Sequence, residues 1–227
     1  WEYAGMPRRP DRYLEERRRD ILRAARDAFV KDGYAGTTVS KIAQEAEMAA
    51  GTLYRYFDSK EDLIWAVAHE HIEEELTRFS VTGDESYSAG DQLLSVLEDV
   101  GKSRSAENVD DTVVSMESIL ASLRNPKLQK KVAGDVSDSI LALAELIQRA
   151  QAQGDVDPQF NPHAVSALIH ASSSGLANLK ALMPDSSEEV ESAEELMAAL
   201  LESLYSPSLA RRSREKKSFD TSANSDT

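Results

Sequence analysis

The stretch from residue 49 to residue 60 combines small, hydroxyl-bearing and cationic side chains in an order that suits contact with duplex DNA. Hydroxyl groups donate hydrogen bonds to phosphate oxygens or base edges, cations pair with phosphate or guanine, and small residues let the backbone approach a groove closely. The threonine at position 38 adds a further hydroxyl. The predicted DNA-contacting residues are Thr38, Ala49, Ala50, Gly51, Thr52, Tyr54, Arg55, Tyr56 and Lys60.

Two short helices are expected to position these side chains. The first carries apolar residues at the i, i+3, i+4, i+7 spacing of a buried helical face, and Thr38 caps its start. The second runs from residue 49 to residue 57, where Leu53 and Phe57 face inward and the polar residues face outward. Residues 38–57 therefore predict a helix-turn-helix whose second helix enters the major groove.

One helix before this motif completes a three-helix domain, and a further helix begins after the motif. An apolar stripe over residues 14–31 predicts the first of them, and Gly33 is a natural C-terminal stop. Ser59 and Asp62 form the S-x-x-D capping pattern that begins the other helix, whose free N–H groups can also hold a phosphate. The predicted three-helix DNA-binding domain covers residues 13–62.

The same stretch resembles the N-terminal pattern of the TetR/AcrR family of bacterial transcriptional regulators. The match is specific because it extends in register over 27 positions, from 37 to 63. The matching residues are Thr37, Thr38, Val39, Ile42, Ala43, Ala46, Gly51, Thr52, Leu53, Tyr54, Tyr56, Phe57, Ser59, Lys60, Glu61 and Leu63.

Two positions depart from the family pattern. Glu47 stands where the family usually has glycine, so a turn of the same shape puts a side chain in left-handed backbone and a negative charge near DNA. Ala49 stands where the family usually has serine, so a helix cap and a phosphate contact are missing. We expect both departures to affect affinity and site preference more than the fold.

The resemblance implies an all-α homodimer with an N-terminal helix-turn-helix domain and a C-terminal helical domain for ligand binding and dimerisation. Its two recognition helices would enter successive major grooves of a pseudo-palindromic operator, and a small effector held in the C-terminal domain would release the DNA. A ligand-responsive repressor is therefore the favoured hypothesis. An effector-independent regulator or architectural protein, and an interaction module that has lost DNA binding, are the alternatives.

Composition and charge agree with a two-domain regulator. The chain has 227 residues, 41% of them hydrophobic, no cysteine and a net charge of −14. Residues 1–65 carry 12 cations and 12 carboxylates, whereas residues 66–208 carry 9 and 25, so the acidity lies outside the DNA-binding end. An enzyme is disfavoured because G-x-S-x-G, P-loop, dinucleotide and H-E-x-x-H patterns are absent from the sequence, as is a cysteine nucleophile.

The remaining boundaries follow from the helical stripes. Residues 1–12 are expected to be a flexible basic arm, in which residues 1–5 precede a methionine and look like a cloning remnant. Apolar stripes predict a helical domain over residues 63–205, to which the resemblance assigns effector binding and dimerisation. Residues 206–227 are expected to be a disordered tail. The sequence shows neither a membrane span nor a signal peptide, so a cytoplasmic location is expected.

Candidate sites in the second domain rest on weaker patterns. An apolar effector fits helices rich in leucine, valine and isoleucine, and the candidate lining residues are Met116, His163, His170 and Asn178. His69 and Glu73 share a helical face, but a third metal ligand is not apparent, and neither metal nor cofactor is expected. The resemblance implies a dimer interface formed by the last two helices, although the same stripes could instead belong to the core of a single chain. The residues predicted at this interface are Val165, Leu168, Ile169, Ser172, Leu176, Leu179, Leu196, Leu200 and Leu204.

Overall fold

The computed structural model describes residues 11–80, 88–106, 109–183 and 187–211. The all-α prediction is confirmed, since the only β pairing in these ranges is an isolated antiparallel bridge between Val156 and Tyr205. None of the helices described there combines the length and apolar character that a bilayer crossing needs. The helices are α1 (Asp11–Gly36), α2 (Val39–Glu45), α3 (Ala50–Leu53), α4 (Lys60–Ser80), α5 (Ala89–Ala106), α6 (Val109–Ser122), α7 (Pro126–Ala152), α8 (Pro162–Leu182) and α9 (Ser187–Glu202).

The first of two compact units comprises the described chain up to Glu70 together with residues 113–132. Its core is formed by α1, α2, α3 and the start of α4, and Val114 of α6 and Leu128 of α7 are buried in the same cluster. The sequence predicted a separate DNA-binding domain over residues 13–62 and did not predict that α6 and α7 contribute to its core. The largest fully buried side chains of the unit are Phe29, Ile21, Leu22, Ile42, Leu53, Leu63, Ile64 and Leu128.

Helix α1 is longer than predicted, and its break lies where the sequence placed it. Gly33 has φ 70° and ψ 167°, a left-handed conformation that a residue without Cβ adopts readily. Leu14, expected on the buried stripe, is 42% exposed, because it lies about two turns before Ile21, the first fully buried position. Past the break, Thr37 Oγ1 lies 2.8 Å from the Gly33 carbonyl oxygen and 3.0 Å from that of Ala28, which fixes the entry into α2.

Lys131 at the start of α7 ties this helix to α4 within the first unit. Its ammonium pairs with Asp62 and lies 4.5 Å from the centroid of the Trp65 ring. Burial acts to raise the pKa of Asp62, but hydrogen bonds from Lys131 and Ser59 outweigh it and hold the pKa below its usual value. Because the folded pKa is lowered, the stability that this pair contributes is present above the unfolded pKa and is lost as pH falls through the folded one.

The second unit comprises residues 71–112 and the described chain from Ala133 onward. Its core joins α5, the C-terminal half of α7 and α8. Two local features set the start of α8: Asn161 caps it, its side chain accepting from Ala164 N at 3.1 Å, and Gly154 turns the chain before it with φ 77°. The largest fully buried side chains of this unit are Leu93, Leu146, Ile147 and Leu209.

The prediction that disorder begins at residue 206 is wrong for residues 206–211. Ser206 N donates to the Asp155 carbonyl at 2.8 Å, residues 207–211 form a helical turn, and Leu209 is fully buried in the second core. Polar composition suggested disorder, but one leucine is enough to anchor the turn once neighbouring backbone is paired. The rest of the predicted tail, residues 212–227, lies outside the described residues, as do residues 1–10 of the predicted basic arm and residues 81–87.

Alanine at Gly90 is expected to destabilise the second unit by about 1–3 kcal/mol. A Cβ there would lie 2.4 Å from Asp155 Oδ2 and 2.6 Å from Asp155 Cβ, and the Asp155 backbone is held by hydrogen bonds with Ala150 and Ser206. Denaturant unfolding of G90A measures the loss. The matched control is G134A in α7, where a Cβ meets nothing within 4 Å and helix propensity predicts a gain of about 1 kcal/mol. Equal stabilities of the two variants would contradict this packing.

Candidate nucleic-acid interface

The first helix of the motif begins as the sequence predicted. Thr38 is the N-cap of α2, and its exposed hydroxyl oxygen accepts from Lys41 N at 3.2 Å. The hydroxyl hydrogen is not used in this contact, so Thr38 can cap the helix and still donate to a phosphate. Lys41 pairs with Asp32, and this hydrogen bond raises the pKa of Lys41.

The candidate recognition helix is shorter than predicted. Helix α3 ends at Leu53 rather than at Phe57, and the chain continues in a tight turn in which Arg55 N donates to Thr52 O at 3.1 Å and Tyr56 N to Leu53 O at 2.8 Å. These i to i+3 bonds replace a further helical turn. The inward positions are nevertheless confirmed, because Leu53 is 0% and Phe57 5% exposed.

The anchored turn presents an open polar surface. Gly51, Tyr54 and Arg55 are exposed, and Thr52 and Tyr56 are half-buried. Tyr54 is 52% exposed, which leaves its phenol free of the protomer core. A Cβ at Gly51 would meet nothing within 4 Å, so the packing of the protomer does not require glycine at this position. Its small size leaves room for an incoming surface such as a groove of DNA.

Lys60 was expected to reach a phosphate, but its side chain makes hydrogen bonds within the protomer. Its ammonium donates to the carbonyl oxygens of Tyr34 at 2.8 Å and Thr37 at 3.0 Å, and lies 4.2 Å from the centroid of the Tyr34 ring. Burial, together with the charge of Glu61 and a hydrogen bond to it, raises the pKa of Tyr34 to about 12. Lys60 therefore braces the junction of α1 and α2, and a phosphate contact by the same side chain stays a prediction.

Arg18 is a residue of this surface that the sequence analysis did not select. Its guanidinium lies 5.2 Å from the centroid of the Phe57 ring and is half-buried, which places a cation beside the end of the turn after α3. The neighbouring Arg17 pairs instead with Asp20 at 3.4 Å. Three consecutive arginines at positions 17–19 are the signal in the sequence, but only the fold shows which of them reaches the motif.

The start of α4 has the predicted cap. Asp62 N donates to Ser59 Oγ at 3.1 Å, and the Ser59 hydroxyl donates to Asp62 Oδ2 at 2.7 Å. Both partners of the capping pattern are thus engaged, and the helix begins at Lys60. Binding of a phosphate at this helix start stays a prediction.

Both departures from the family pattern have their expected structural consequences. Glu47 has φ 52°, and in the described ranges it is the only residue other than glycine with a positive φ. Such a conformation costs a residue with a Cβ roughly 1–2 kcal/mol. At Ala49 the N-cap of α3 lacks a side-chain hydrogen bond. The recognition helix is therefore held in place by the buried Leu53 and Phe57 rather than by its cap.

Replacing Glu47 by glycine is expected to stabilise the protein by about 1 kcal/mol and to tighten DNA binding. Glycine adopts the left-handed turn without strain, and the change removes a negative charge near the expected phosphates. Denaturant unfolding and DNA titration measure the two effects separately. E47Q is the control, because it keeps the strain and removes only the charge. Unfolding energies that are the same for E47G and the parent chain would show that this turn is not strained.

A crevice of about 530 Å³ opens between α1 and the turn after α2. Its lining mixes both signs of charge, which does not suit the largely apolar effector expected from the sequence. None of the four candidate effector residues lines it: Met116 lies in the first unit on α6, and the other three lie on α8 in the second unit. The lining residues are Arg17, Asp20, Arg23, Ala24, Asp27, Lys31, Glu45, Ala46 and Glu47.

The predicted dimer-interface residues divide into an exposed and a buried set. Leu168, Leu179, Leu196 and Leu200 are 43–62% exposed and form apolar surface on α8 and α9. Ile169 is only 5% exposed within the protomer, so its assignment to an interface is wrong. It faces the second core because it lies one position past Leu168 on the helix. Among the others, Val165 and Leu204 pack against that core, and Ser172 and Leu176 are half-buried.

Metal ligands do not cluster in the described part of the chain. Within it, three or more histidine, aspartate or glutamate side chains do not converge as a metal site requires. His69, considered as half of a metal pair, stacks on Trp65 with ring centroids 4.6 Å apart.

Comparison with known proteins identifies the family. The family model for bacterial regulatory proteins of the tetR family matches residues 21–67, which contain α2, α3 and their buried anchors. Residues 21–67 thus form a DNA-binding domain of the TetR type. The HTH-type transcriptional regulator TtgR of Pseudomonas putida is 28% identical over 219 residues, covering 91% of this chain and 100% of TtgR.

Solved structures of TetR-family regulators have the same fold. A regulator from Rhodococcus sp. gives a TM-score of 0.67 at 22% identity, covering 85% of this chain and 100% of that one. SmeT, the repressor of the Stenotrophomonas maltophilia multidrug efflux pump SmeDEF, gives 0.67 at 20% identity, covering 85% and 92%. The family model and TtgR, rather than these structures, identify the chain as a DNA-binding transcriptional regulator and not an enzyme, as the sequence predicted.

Proposed function

We propose that the protein is a repressor that binds an operator as a homodimer and is released from it by a small, largely apolar effector. The observation that most directly supports operator binding is the structure of the turn after α3. Tyr54 and Arg55 are exposed there, although the residues on either side, Leu53 and Phe57, are buried. The two buried residues thus fix the position of the two exposed side chains at the surface, which is the arrangement that base and phosphate recognition needs.

The homodimer is proposed to form through α8 and α9. Their exposed leucines are not covered by the rest of the protomer. The equivalent helices of a second copy would cover them in a four-helix bundle. A two-fold dimer carries two copies of the α3 turn, so its operator should be a pseudo-palindrome with half-sites about one helical turn apart or somewhat more.

The effector is proposed to be largely apolar because the second unit offers few cations. Lys180, a cation of α8, already pairs with Glu194 at 2.6 Å, so an anionic ligand would find little compensation there. Support comes from SmeT, which has this fold and is by its title the repressor of a multidrug efflux pump. Polar anchors for the effector are proposed at His163, His170 and Asn178, all on α8 of the second unit, whereas Met116 lies in the first unit and is not included.

Release of DNA requires that the effector favour one state of the dimer over another, with a coupling free energy of typically about 1–3 kcal/mol. A thermal-shift screen of apolar and amphipathic compounds against the purified protein tests this part. A compound that raises the melting temperature should also weaken DNA binding by roughly 5- to 150-fold. A compound that binds tightly and leaves DNA affinity unchanged would favour an effector-independent regulator.

A further inference from the structure

Two of the arginines close to Arg18 on α1 lie beside a carboxylate, but Arg18 does not. Arg17 pairs with Asp20 at 3.4 Å, and Arg23 lies 3.9 Å from the same carboxylate. Within the part of the chain that the structure describes, the Arg18 side chain forms neither an ion pair nor a hydrogen bond. Its guanidinium therefore keeps its charge and its N–H donors for an acceptor outside the protomer.

The ring of Phe57 fixes where this guanidinium lies. The guanidinium carbon is 5.2 Å from the centroid of the ring, a cation–π contact, and Arg18 is half-buried. Phe57 is 5% exposed and ends the turn that presents Tyr54 and Arg55, so the same buried ring anchors both the turn and the cation. A cation–π contact uses the charge of the guanidinium and not its N–H groups, so these donors stay available.

We propose that Arg18 binds a backbone phosphate of the operator beside the bases that the turn after α3 contacts. The inference rests on the proposed binding of DNA through that turn, and it extends the interface to α1. Phosphates recur about every 3.4 Å of helix axis along each strand, so a turn that enters a groove has phosphates on either side of it. Arg18 lies beside Phe57 at the end of the turn, which places its cation at the edge of the groove contact.

The chemistry of Arg18 suits a phosphate better than a base edge. A guanidinium offers two parallel N–H donors that match two phosphate oxygens, and it stays charged at physiological pH. A base edge lies inside the groove and needs a side chain that extends freely, such as the exposed Tyr54 and Arg55. Because Arg18 is half-buried against a ring, it positions the protein on DNA and does not read the sequence.

A purely structural role of Arg18 predicts a different pattern among variants. The side chain packs on the Phe57 ring, so its loss would weaken DNA binding indirectly if it loosened the turn. R18M keeps an unbranched apolar chain against the ring and removes the charge, whereas R18K keeps the charge and removes the paired donors. R19M is the matched control, because Arg19 is the next residue of α1, is exposed, and lacks a ring contact among the described residues.

Titration of two labelled duplexes at several salt concentrations tests the proposal. One duplex carries the site selected from a random library, and the other has the same length and a random sequence, so the phosphate contact is measured even where no site is enriched. The full chain and its variants R18M, R18K, R19M and R55A are titrated between about 50 and about 200 mM salt. Denaturant unfolding of each variant measures its stability separately.

We expect R18M to raise Kd by roughly tenfold or more on both duplexes, because a charge-assisted hydrogen bond to phosphate is lost. The slope of log K against log salt should become shallower by about 0.9 for each Arg18 that contacts a phosphate. R18K should keep most of the slope, since its ammonium still neutralises the phosphate. R19M should change neither the affinity nor the slope.

An unchanged salt slope in R18M, even with weaker binding, would assign Arg18 to support of Phe57 alone and overturn the phosphate contact. Equal losses in R18M and R19M would show a diffuse effect of charge and overturn it too. A loss in R55A without one in R18M would refute the role of Arg18 and leave the proposed function intact. The reverse would sustain Arg18 and remove Arg55 from the interface, and a parent chain that binds neither duplex would overturn both.

Discussion

Alanine at Tyr54 or at Arg55 is expected to weaken operator binding by about 1–3 kcal/mol each, roughly 5- to 150-fold in Kd. Both side chains are exposed on the turn after α3 and contribute little to the protomer core, so the free energy of unfolding and the dimer should be unaffected. Titration of labelled operator by fluorescence anisotropy measures the affinity, and denaturant unfolding measures stability. The loss at Arg55 should also reduce the salt dependence of binding if the side chain touches a phosphate.

Two companion variants separate a specific contact from a general effect of charge or fold. K130A removes an exposed cation of α7 and should leave operator affinity nearly unchanged. G51A should keep or raise stability, because its Cβ meets nothing, yet weaken binding because the added methyl group narrows the approach to DNA. Unchanged affinity in both Y54A and R55A would remove this turn from the DNA interface.

Glutamate at Leu196 and Leu200 together is expected to convert the dimer into monomers, with the dimer Kd rising at least a hundredfold. The two leucines are 61% and 55% exposed and lie one helical turn apart on α9, so folding of the protomer should tolerate the charges. Four carboxylates brought together across a two-fold axis would be desolvated and mutually repulsive. Sedimentation velocity at several protein concentrations measures the change.

The control for this prediction lies on the other side of the same helix. Ala198 is exposed and about half a turn from both leucines, so A198E adds charge without entering the proposed interface. The sequence analysis also placed Leu204 at this interface, but Leu204 packs against the second core, and a charge there would disturb folding. A dimer that survives L196E/L200E would place the interface elsewhere.

Local signals in the sequence predicted some of the helix boundaries. Ser59 and Asp62 marked the start of α4, and Gly33 marked the break in α1. Each of these depends on the chemistry of a few neighbouring residues. The inward positions of Leu53 and Phe57 were predictable for the same reason. Buried side chains still recur every three to four residues where the α-helix is replaced by tighter turns.

Features that depend on distant residues were not predictable. The ammonium of Lys60 points to carbonyls more than twenty positions earlier in the chain, and Leu209 is buried in the second core, far along the chain from most of the residues that form it. The sequence of α6 shows an apolar stripe but not that the stripe, with Ile119 and Leu120 each 48% exposed, faces away from the core. These contacts and orientations depend on how whole helices pack, and the local propensities of residues do not contain that information.

The most direct test of the account is selection of the preferred DNA site from a random library with the purified protein, followed by titration at two salt concentrations. We predict an inverted repeat with half-sites about one turn apart, a steep loss of affinity with salt, and loss of the selected site's advantage in Y54A and R55A. Recovery of no enriched sequence, with equally weak binding to all DNA, would contradict the assignment of the α3 turn as an operator-reading surface.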